Sequence, residues 1–264
     1  MIIVDTHCHA SPYWYAPVES LLDEMMRSGV EKAVLIQIGG VYDNRYEIEC
    51  MRRFPGRFAA VAMVDTSSLD APERLAQWVE QGIQGIRLNP NERSAGSDSL
   101  AIWRKAAELE VPVSCQGSNV EAFSSREFED IIKELPDLKI IIEHLGGGGS
   151  DTAPPHSKYR KVLDLAQYPN TYMKIPGFGE ICSRPMPFRQ PFPFESVPPL
   201  IEMALEAFGA RRLMWGSNYP PVAGRGEGYR NSLQWPLERL PFKNEEDKEW
   251  VFGKTAMSVW KFSD

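Results

Sequence analysis

The sequence predicts an α/β protein that folds as a closed (β/α)8 barrel, one domain spanning residues 1–264. Two observations lead there. Short apolar runs rich in Val and Ile recur eight times along the chain, and segments with helical spacing lie between them. Alternation of this kind implies parallel pairing, because each right-handed crossover returns the chain in the same direction. The length also suits such a barrel, which typically takes about 250 residues. An open doubly wound sheet is the rival. It would need a G-x-G-x-x-G after the first run to approach a pyrophosphate, and none is present there.

In chain order, the candidate strands are Ile2–Asp5, Ala33–Ile38, Ala59–Val64, Gly85–Leu88, Pro112–Gln116, Lys139–Glu143, Thr171–Ile175 and Arg212–Gly216. Each is too short for a stable helix. Helical spacing follows the first strand at Val18–Arg27, the third at Glu73–Glu80, the fourth at Leu100–Leu109 and the fifth at Glu127–Leu135. It follows the seventh at Pro199–Phe208 and the eighth at Glu245–Phe252. Side-chain oxygens stand ready as caps: Ser67, Ser68 and Asp70 precede Pro72-Glu73, and Ser124 and Ser125 precede Glu127. The Gly146–Gly149 run lacks the Lys-Ser/Thr of a phosphate loop and reads as a flexible loop. Gly177–Ser196, rich in proline, reads as a lid over a ligand or as a surface for a second subunit, which leaves a homo-oligomer open.

Composition narrows the function. With 43% hydrophobic and 25% charged residues the chain can bury a large core, which excludes disorder and fibres. Its 29 Lys+Arg against 36 Asp+Glu give a net charge of -7, which argues against nucleic acid or an anionic membrane as partner. A small-molecule site is left. Cys8, Cys50, Cys115 and Cys182 show no C-x-x-C spacing and fit reduced, buried thiols, so the expected compartment is the cytoplasm. No apolar stretch reaches the length of a membrane helix.

In a (β/α)8 barrel, chemistry sits at the carboxyl ends of the strands. Three of the four histidines fall there: His7 and His9 at the first strand and His144 at the sixth. Period-two alternation turns His7 and His9 to the same side, into the mouth, with Cys8 facing outward. Two imidazoles so placed can chelate one divalent ion, and His144 can approach from the sixth strand. His156 lies in a Pro-rich loop and reads as a surface residue. Arg87 offers a planar fork for a carboxylate at the fourth strand, and Arg184 and Arg225 lie in loops able to reach the same mouth. Gln116 ends the fifth strand, Lys174 the seventh, and Ser217-Asn218-Tyr219 follow the eighth. A small anionic substrate suits these donors, with Arg87, Gln116, Tyr219 and Arg225 as its binding residues. Lys174 is also placed to neutralise a barrel carboxylate. Tyr13, Trp14, Tyr15 and Phe178 serve equally well as pocket walls or as core caps.

Four segments, Asp5-Thr6-His7-Cys8-His9, Gly85-Ile86-Arg87-Leu88-Asn89, Ile142-Glu143-His144-Leu145-Gly146 and Trp215-Gly216-Ser217-Asn218-Tyr219-Pro220, resemble successive strand-end signatures of the amidohydrolase superfamily. The resemblance is to its amidohydrolase-related (amidohydrolase 2) branch, which includes lactonases of sugar lactones and of 2-pyrone-4,6-dicarboxylate. It runs in order over nearly the whole chain and implies a distorted (β/α)8 barrel. It also implies that His7, His9 and His144 bind a metal or polarise a carbonyl. One divalent ion, zinc or manganese, is the most it allows, since Gln116 is neutral where related hydrolases often place a ligand. Metal-free operation, known in the lactonase branch, is the other reading.

The sequence departs from that pattern at the eighth strand, where the family's proton-accepting aspartate falls on Asn218. An amide oxygen accepts a hydrogen bond but cannot take a proton near neutral pH. Asn218 is therefore either an inactivating replacement or a natural variant with altered or lost chemistry. With His144 it remains the candidate catalytic pair. The implied activity is hydrolysis of a lactone or related ester. A nonoxidative decarboxylase of an aromatic acid on the same fold is one alternative, and a non-catalytic small-anion-binding protein is another.

Overall fold

The computed structural model describes residues 1–117, 119–182 and 192–262. Among these residues, eight parallel strands alternate with helices. The order runs β1 (Val4–Cys8), α1 (Val18–Ser28), β2 (Lys32–Ile36), α2 (Arg45–Arg53), β3 (Phe58–Val61), α3 (Ala71–Glu80), β4 (Ile86–Leu88), α4 (Ala101–Glu108) and β5 (Val113–Cys115). It continues through α5 (Val120–Phe123), α6 (Arg126–Glu134), β6 (Ile140–Ile142), α7 (His144–Gly147), α8 (Ser157–Leu163), β7 (Thr171–Ile175) and α9 (Leu200–Phe208). Then come β8 (Leu213–Trp215), α10 (Gly228–Arg239), α11 (Glu245–Glu249) and α12 (Thr255–Val259). No helix of the described residues is long and apolar enough to cross a membrane.

The ladder runs continuously from β1 to β3 and again from β4 to β8. Single bridges span the two seams, Ala62 with Ile86 and Cys8 with Tyr219. The result is the distorted (β/α)8 barrel. Two apolar layers fill it. Val4, Val34, Ile36, Ala59, Val61, Ile141 and Met214 meet Ala256 and Trp260 in an inner cluster, while a larger cluster joins the outer strand faces to the helices. Burial of these side chains is the main driving force for closing the strands on one another.

Strand β1 does not alternate simply. Val4 belongs to the inner cluster and Cys8 to the outer one, although residues four apart in a regular strand share a face. A bulge explains it: β1 advances from Asp5 to Cys8 while β2 advances only from Ala33 to Leu35. The extra residue reverses the phase, so that Cys8 packs outward, its thiol donating to the Val34 carbonyl at 3.4 Å.

Several expectations change. The first strand starts at Val4 rather than Ile2, and the last predicted helix gives way after Glu249 to a π-helical turn at Trp250–Lys254. Helices α2, α5, α7, α8, α10 and α12 match none of the helical segments expected from the sequence; α10 hides because Pro236 lies within it. Ser125 caps α6, accepting from the Phe128 N–H at 3.3 Å. Asp70 does not cap α3, because its carboxylate is engaged by Ser68 and Arg74. His156 is buried, its Nδ1 2.9 Å from the Asp151 carbonyl oxygen. The Gly146–Gly149 run is packed rather than loose: a Cβ on Gly147 would stand 2.4 Å from the Asn119 carbonyl carbon. Within the proline-rich segment, Phe192 and Phe194 pack on Trp235 of α10; residues 183–191, including Arg184, lie outside the described residues.

Candidate active site

The strand ends bring a polar layer together above the apolar plug. Arg87 (β4), Ser114 (β5) and Lys174 (β7) surround Glu143, the residue after β6, and all four are buried. Arg87 donates from Nη2 to Glu143 Oε2 at 2.8 Å and from Nε to both oxygens at 3.2 and 3.3 Å. The Ser114 hydroxyl donates to Glu143 Oε1 at 2.6 Å and accepts from Lys174 Nζ at 2.7 Å. Burial alone would raise the Glu143 carboxyl, but Arg87 and Lys174 outweigh it and hold it well below the ordinary carboxylate range. Burial lowers Lys174 to about 8.

The three histidines converge beside this layer. The His7 ring centroid lies 5.0 Å from that of His9 and 4.4 Å from that of His144. His7 Nδ1 is 3.3 Å from Lys174 Nζ and 3.6 Å from Glu143 Oε1. His9 Nδ1 sits 2.7 Å from the Ile36 carbonyl oxygen, so that nitrogen carries the proton and Nε2 keeps its lone pair. Burial, followed by neighbouring positive charge, drives His7 well below its ordinary value and His9 to about 3. Both rings are therefore neutral at physiological pH.

His7, Glu143 and His144 offer ligand atoms that all lie within 4.8 Å of one another, a spacing that can hold one divalent ion. One observation says the residues fit. Among the described residues His7 Nε2 is buried without a hydrogen-bond partner, and a buried nitrogen left unpaired is costly unless something binds it. His9 lies next to this group rather than in it.

A second carboxylate comes from a residue that the sequence reading missed. Glu180, in the short turn after β7, lies 2.5 Å from His144 Nδ1 through Oε1. Its Oε2 accepts from Asn218 Nδ2 at 3.1 Å and from Arg225. Burial opposes its ionisation, but His144, Arg225 and Asn218 prevail and hold the carboxyl at about 2. The turn can lie this close because Gly179 has no side chain; a Cβ there would meet the Arg225 carbonyl oxygen at 2.5 Å.

The remaining predicted residues fall in varied places. Arg87 is turned onto Glu143 and also donates to the Gln37 carbonyl at 3.2 Å, which leaves it little freedom to meet a ligand. Gln116 is half-buried just after β5, its backbone N–H bonded to the Leu88 carbonyl. The Tyr219 ring packs edge-on against Tyr229, and the Tyr219 carbonyl accepts from the His9 N–H at 2.8 Å, which ties β1 to the end of β8. Tyr13 and Trp14 are exposed, Tyr15 lies 5.5 Å from the His9 ring, and Phe178 is buried. His144 and Asn218 both take left-handed backbone conformations, φ 51° and 56°, of the kind seen where a site fixes its residues. Glu143 was legible only as the neighbour of His144. Glu180 had no pattern to reveal it.

A parallel barrel with histidines from β1 and β6 at its carboxyl mouth defines an enzyme of the amidohydrolase type. Residues 4–262 match the family model described as Amidohydrolase, so the chain belongs to that family, and it is a hydrolase. It is 27% identical over 250 residues to an L-fucono-1,5-lactonase of Burkholderia ambifaria, an alignment covering 90% of this chain and 82% of that one. Among solved structures it resembles one described as a probable 2-pyrone-4,6-dicarboxylic acid hydrolase from Acinetobacter baumannii with citric acid bound. There the TM-score is 0.74 at 19% identity, covering 98% of this chain and 99% of the other. It also resembles an amidohydrolase from Burkholderia multivorans with bound zinc, with a TM-score of 0.73 at 18% identity, covering 98% and 99%. At such identities the structural likeness speaks for the fold.

Proposed function

We propose that this protein hydrolyses a lactone, or a related ring ester, of a small anionic compound. The observation that carries the reading is the convergence of His7, His9 and His144 beside Arg87 and Lys174, which makes the barrel mouth a buried, cation-rich surface. Arg87, Lys174 and Arg225 set three cationic groups against the two carboxylates Glu143 and Glu180, so the site favours an anion and the oxyanion formed when water attacks a carbonyl. The L-fucono-1,5-lactonase relative points to the same bond type.

Each residue has a part in this scheme. Arg87 and Ser114 fix Glu143, which together with Lys174 sets the position of His7. The Ile36 carbonyl orients His9, and Glu180 orients His144. Arg225, with its side chain 31% exposed, is the arginine best placed at the mouth to meet the carboxylate or hydroxyls of a substrate. His7, Glu143 and His144 are the residues that would hold a zinc or manganese ion. Such an ion, when bound, polarises the carbonyl and acidifies water.

Proton release from a panel of sugar-acid lactones and 2-pyrone-4,6-dicarboxylate, measured with the purified protein, tests the reading. Hydrolysis of at least one member is expected. Carbon dioxide release from aromatic acids with no lactone turnover would replace the reading with a decarboxylase, and anion binding without turnover would replace it with a binding protein. Elemental analysis of the same preparation decides the metal: close to one equivalent supports the ion, whereas full activity with none overturns it.

A further inference from the structure

We propose that Glu180 supplies the carboxylate that the eighth strand lacks, and that Asn218 is its complement rather than a disabling replacement. The inference rests on the lactonase reading and names the general base within it. Three observations carry it. Asn218 Nδ2 donates to Glu180 Oε2 at 3.1 Å, so the two side chains already share the place where one carboxylate would act. Among the described residues, Glu180 Oε1 meets one hydrogen-bond donor, His144 Nδ1 at 2.5 Å, which leaves a lone pair for water. Glu180, His144, Asn218 and Arg225 all line one cavity of ≈ 390 Å³, open to solvent.

The pairing also gives a reason for the amide. An aspartate at 218 would set a second carboxylate against Glu180, and like charges at that distance cannot both remain ionised cheaply. An amide turns the repulsion into a hydrogen bond, and Arg225 holds the same oxygen. The carboxylate stands on the turn after β7 and the amide at the end of β8, where the resemblance places an aspartate.

The step balances without a further reactant. Water oxygen bonds to the lactone carbonyl carbon as one of its protons passes to Glu180 Oε1. The tetrahedral intermediate collapses with cleavage of the acyl carbon–ring oxygen bond, and the same proton moves from Glu180 to the departing alkoxide. A hydroxy acid leaves and the carboxylate is regenerated. A strongly acidic carboxyl takes this proton only transiently, as the attacking water gains positive charge.

A mutant cycle of Glu180→Gln, Asn218→Asp and the double variant tests the proposal, with turnover and thermal midpoint read for each. Glu180→Gln should lower kcat by about 10²- to 10⁴-fold with KM changed by no more than about threefold. Asn218→Asp alone should lower kcat rather than raise it. The double variant, with its carboxylate on the other side of the same contact, should recover at least about tenfold over Glu180→Gln. Asn218→Asp should depress the thermal midpoint when Glu180 is present and not when Gln replaces it. Wild-type kcat in Glu180→Gln, or a gain in Asn218→Asp, overturns the base assignment while leaving the lactonase reading intact. A panel that no protein of the cycle hydrolyses overturns both. Equal midpoint shifts in the two backgrounds overturn the pairing whatever the turnover.

Discussion

Arg87 and Glu143 form a buried ion pair with three N–H···O contacts, 2.8, 3.2 and 3.3 Å, at the centre of the barrel mouth. Removing Arg87 takes away all three of these contacts and leaves the buried carboxylate to the Ser114 hydroxyl and to Lys174 at 3.6 Å, a loss of about 3 kcal/mol, at the lower end of what breaking a buried pair costs. Arg87→Met should therefore lower unfolding stability by that order in urea titration. A variant of wild-type stability with only a raised KM would instead make Arg87 a substrate contact.

The sharp turn after β6 depends on Gly147, which sits at φ 74° with Asn119 backbone against it. Gly147→Ala combines left-handed strain with a 2.4 Å clash against backbone that cannot swing aside. We expect a loss of roughly 3 kcal/mol or more, above the ~1 kcal/mol of conformational strain alone. A change below ~1 kcal/mol in chemical denaturation would mean that the α5 start and the turn move apart freely.

The barrel was legible because its evidence is periodic. Short Val- and Ile-rich runs such as Ala33–Ile38 and Lys139–Glu143 become strands within a residue or two, since their burial does not depend on where their partners lie in sequence. The bulge in β1 left no such trace, because one extra residue is visible only against the strand it pairs with. His7, His9 and His144 could be located from strand ends, whereas Glu180 reaches His144 through a turn whose course depends on Gly179 and Arg225, far apart in the chain. His156 misled for the complementary reason: a proline-rich neighbourhood suggests a surface loop, yet the carbonyl that receives its ring is supplied only by the folded turn at Asp151.

His144 joins the histidine cluster to Glu180 and is more exposed than its neighbours, with 22% of its side chain accessible. Its backbone is at φ 51°, a conformation asparagine tolerates better than most residues. His144→Asn should thus preserve the fold, with stability within about 1 kcal/mol of wild type, and lower kcat by about 10²-fold or more. Steady-state kinetics alongside a thermal melt check the pair of outcomes; retained kcat in a folded variant would remove His144 from the chemistry.

Asp5 fastens the first strand to the last. Its carboxylate accepts the Ser217 hydroxyl at 2.6 Å, the Ser217 N–H at 2.9 Å and the His7 N–H at 3.1 Å. Burial nevertheless outweighs these bonds and raises the carboxyl from 3.8 to about 6. A folded-state value above the unfolded one means that the folded protein holds the proton more tightly. The stability gained from it is complete below pH 3.8 and disappears as the pH rises through about 6. The amide introduced by Asp5→Asn does not titrate, so the stability of wild type relative to that variant should fall by on the order of 3 kcal/mol between pH ~4 and pH ~7.5. Groups that titrate alike in both proteins cancel in that difference. Urea unfolding of the pair at the two pH values measures it; a difference that stays level would show that the carboxyl titrates in the folded barrel as it does in water, and one that grows with pH would show that the hydrogen bonds from Ser217 and His7 outweigh burial.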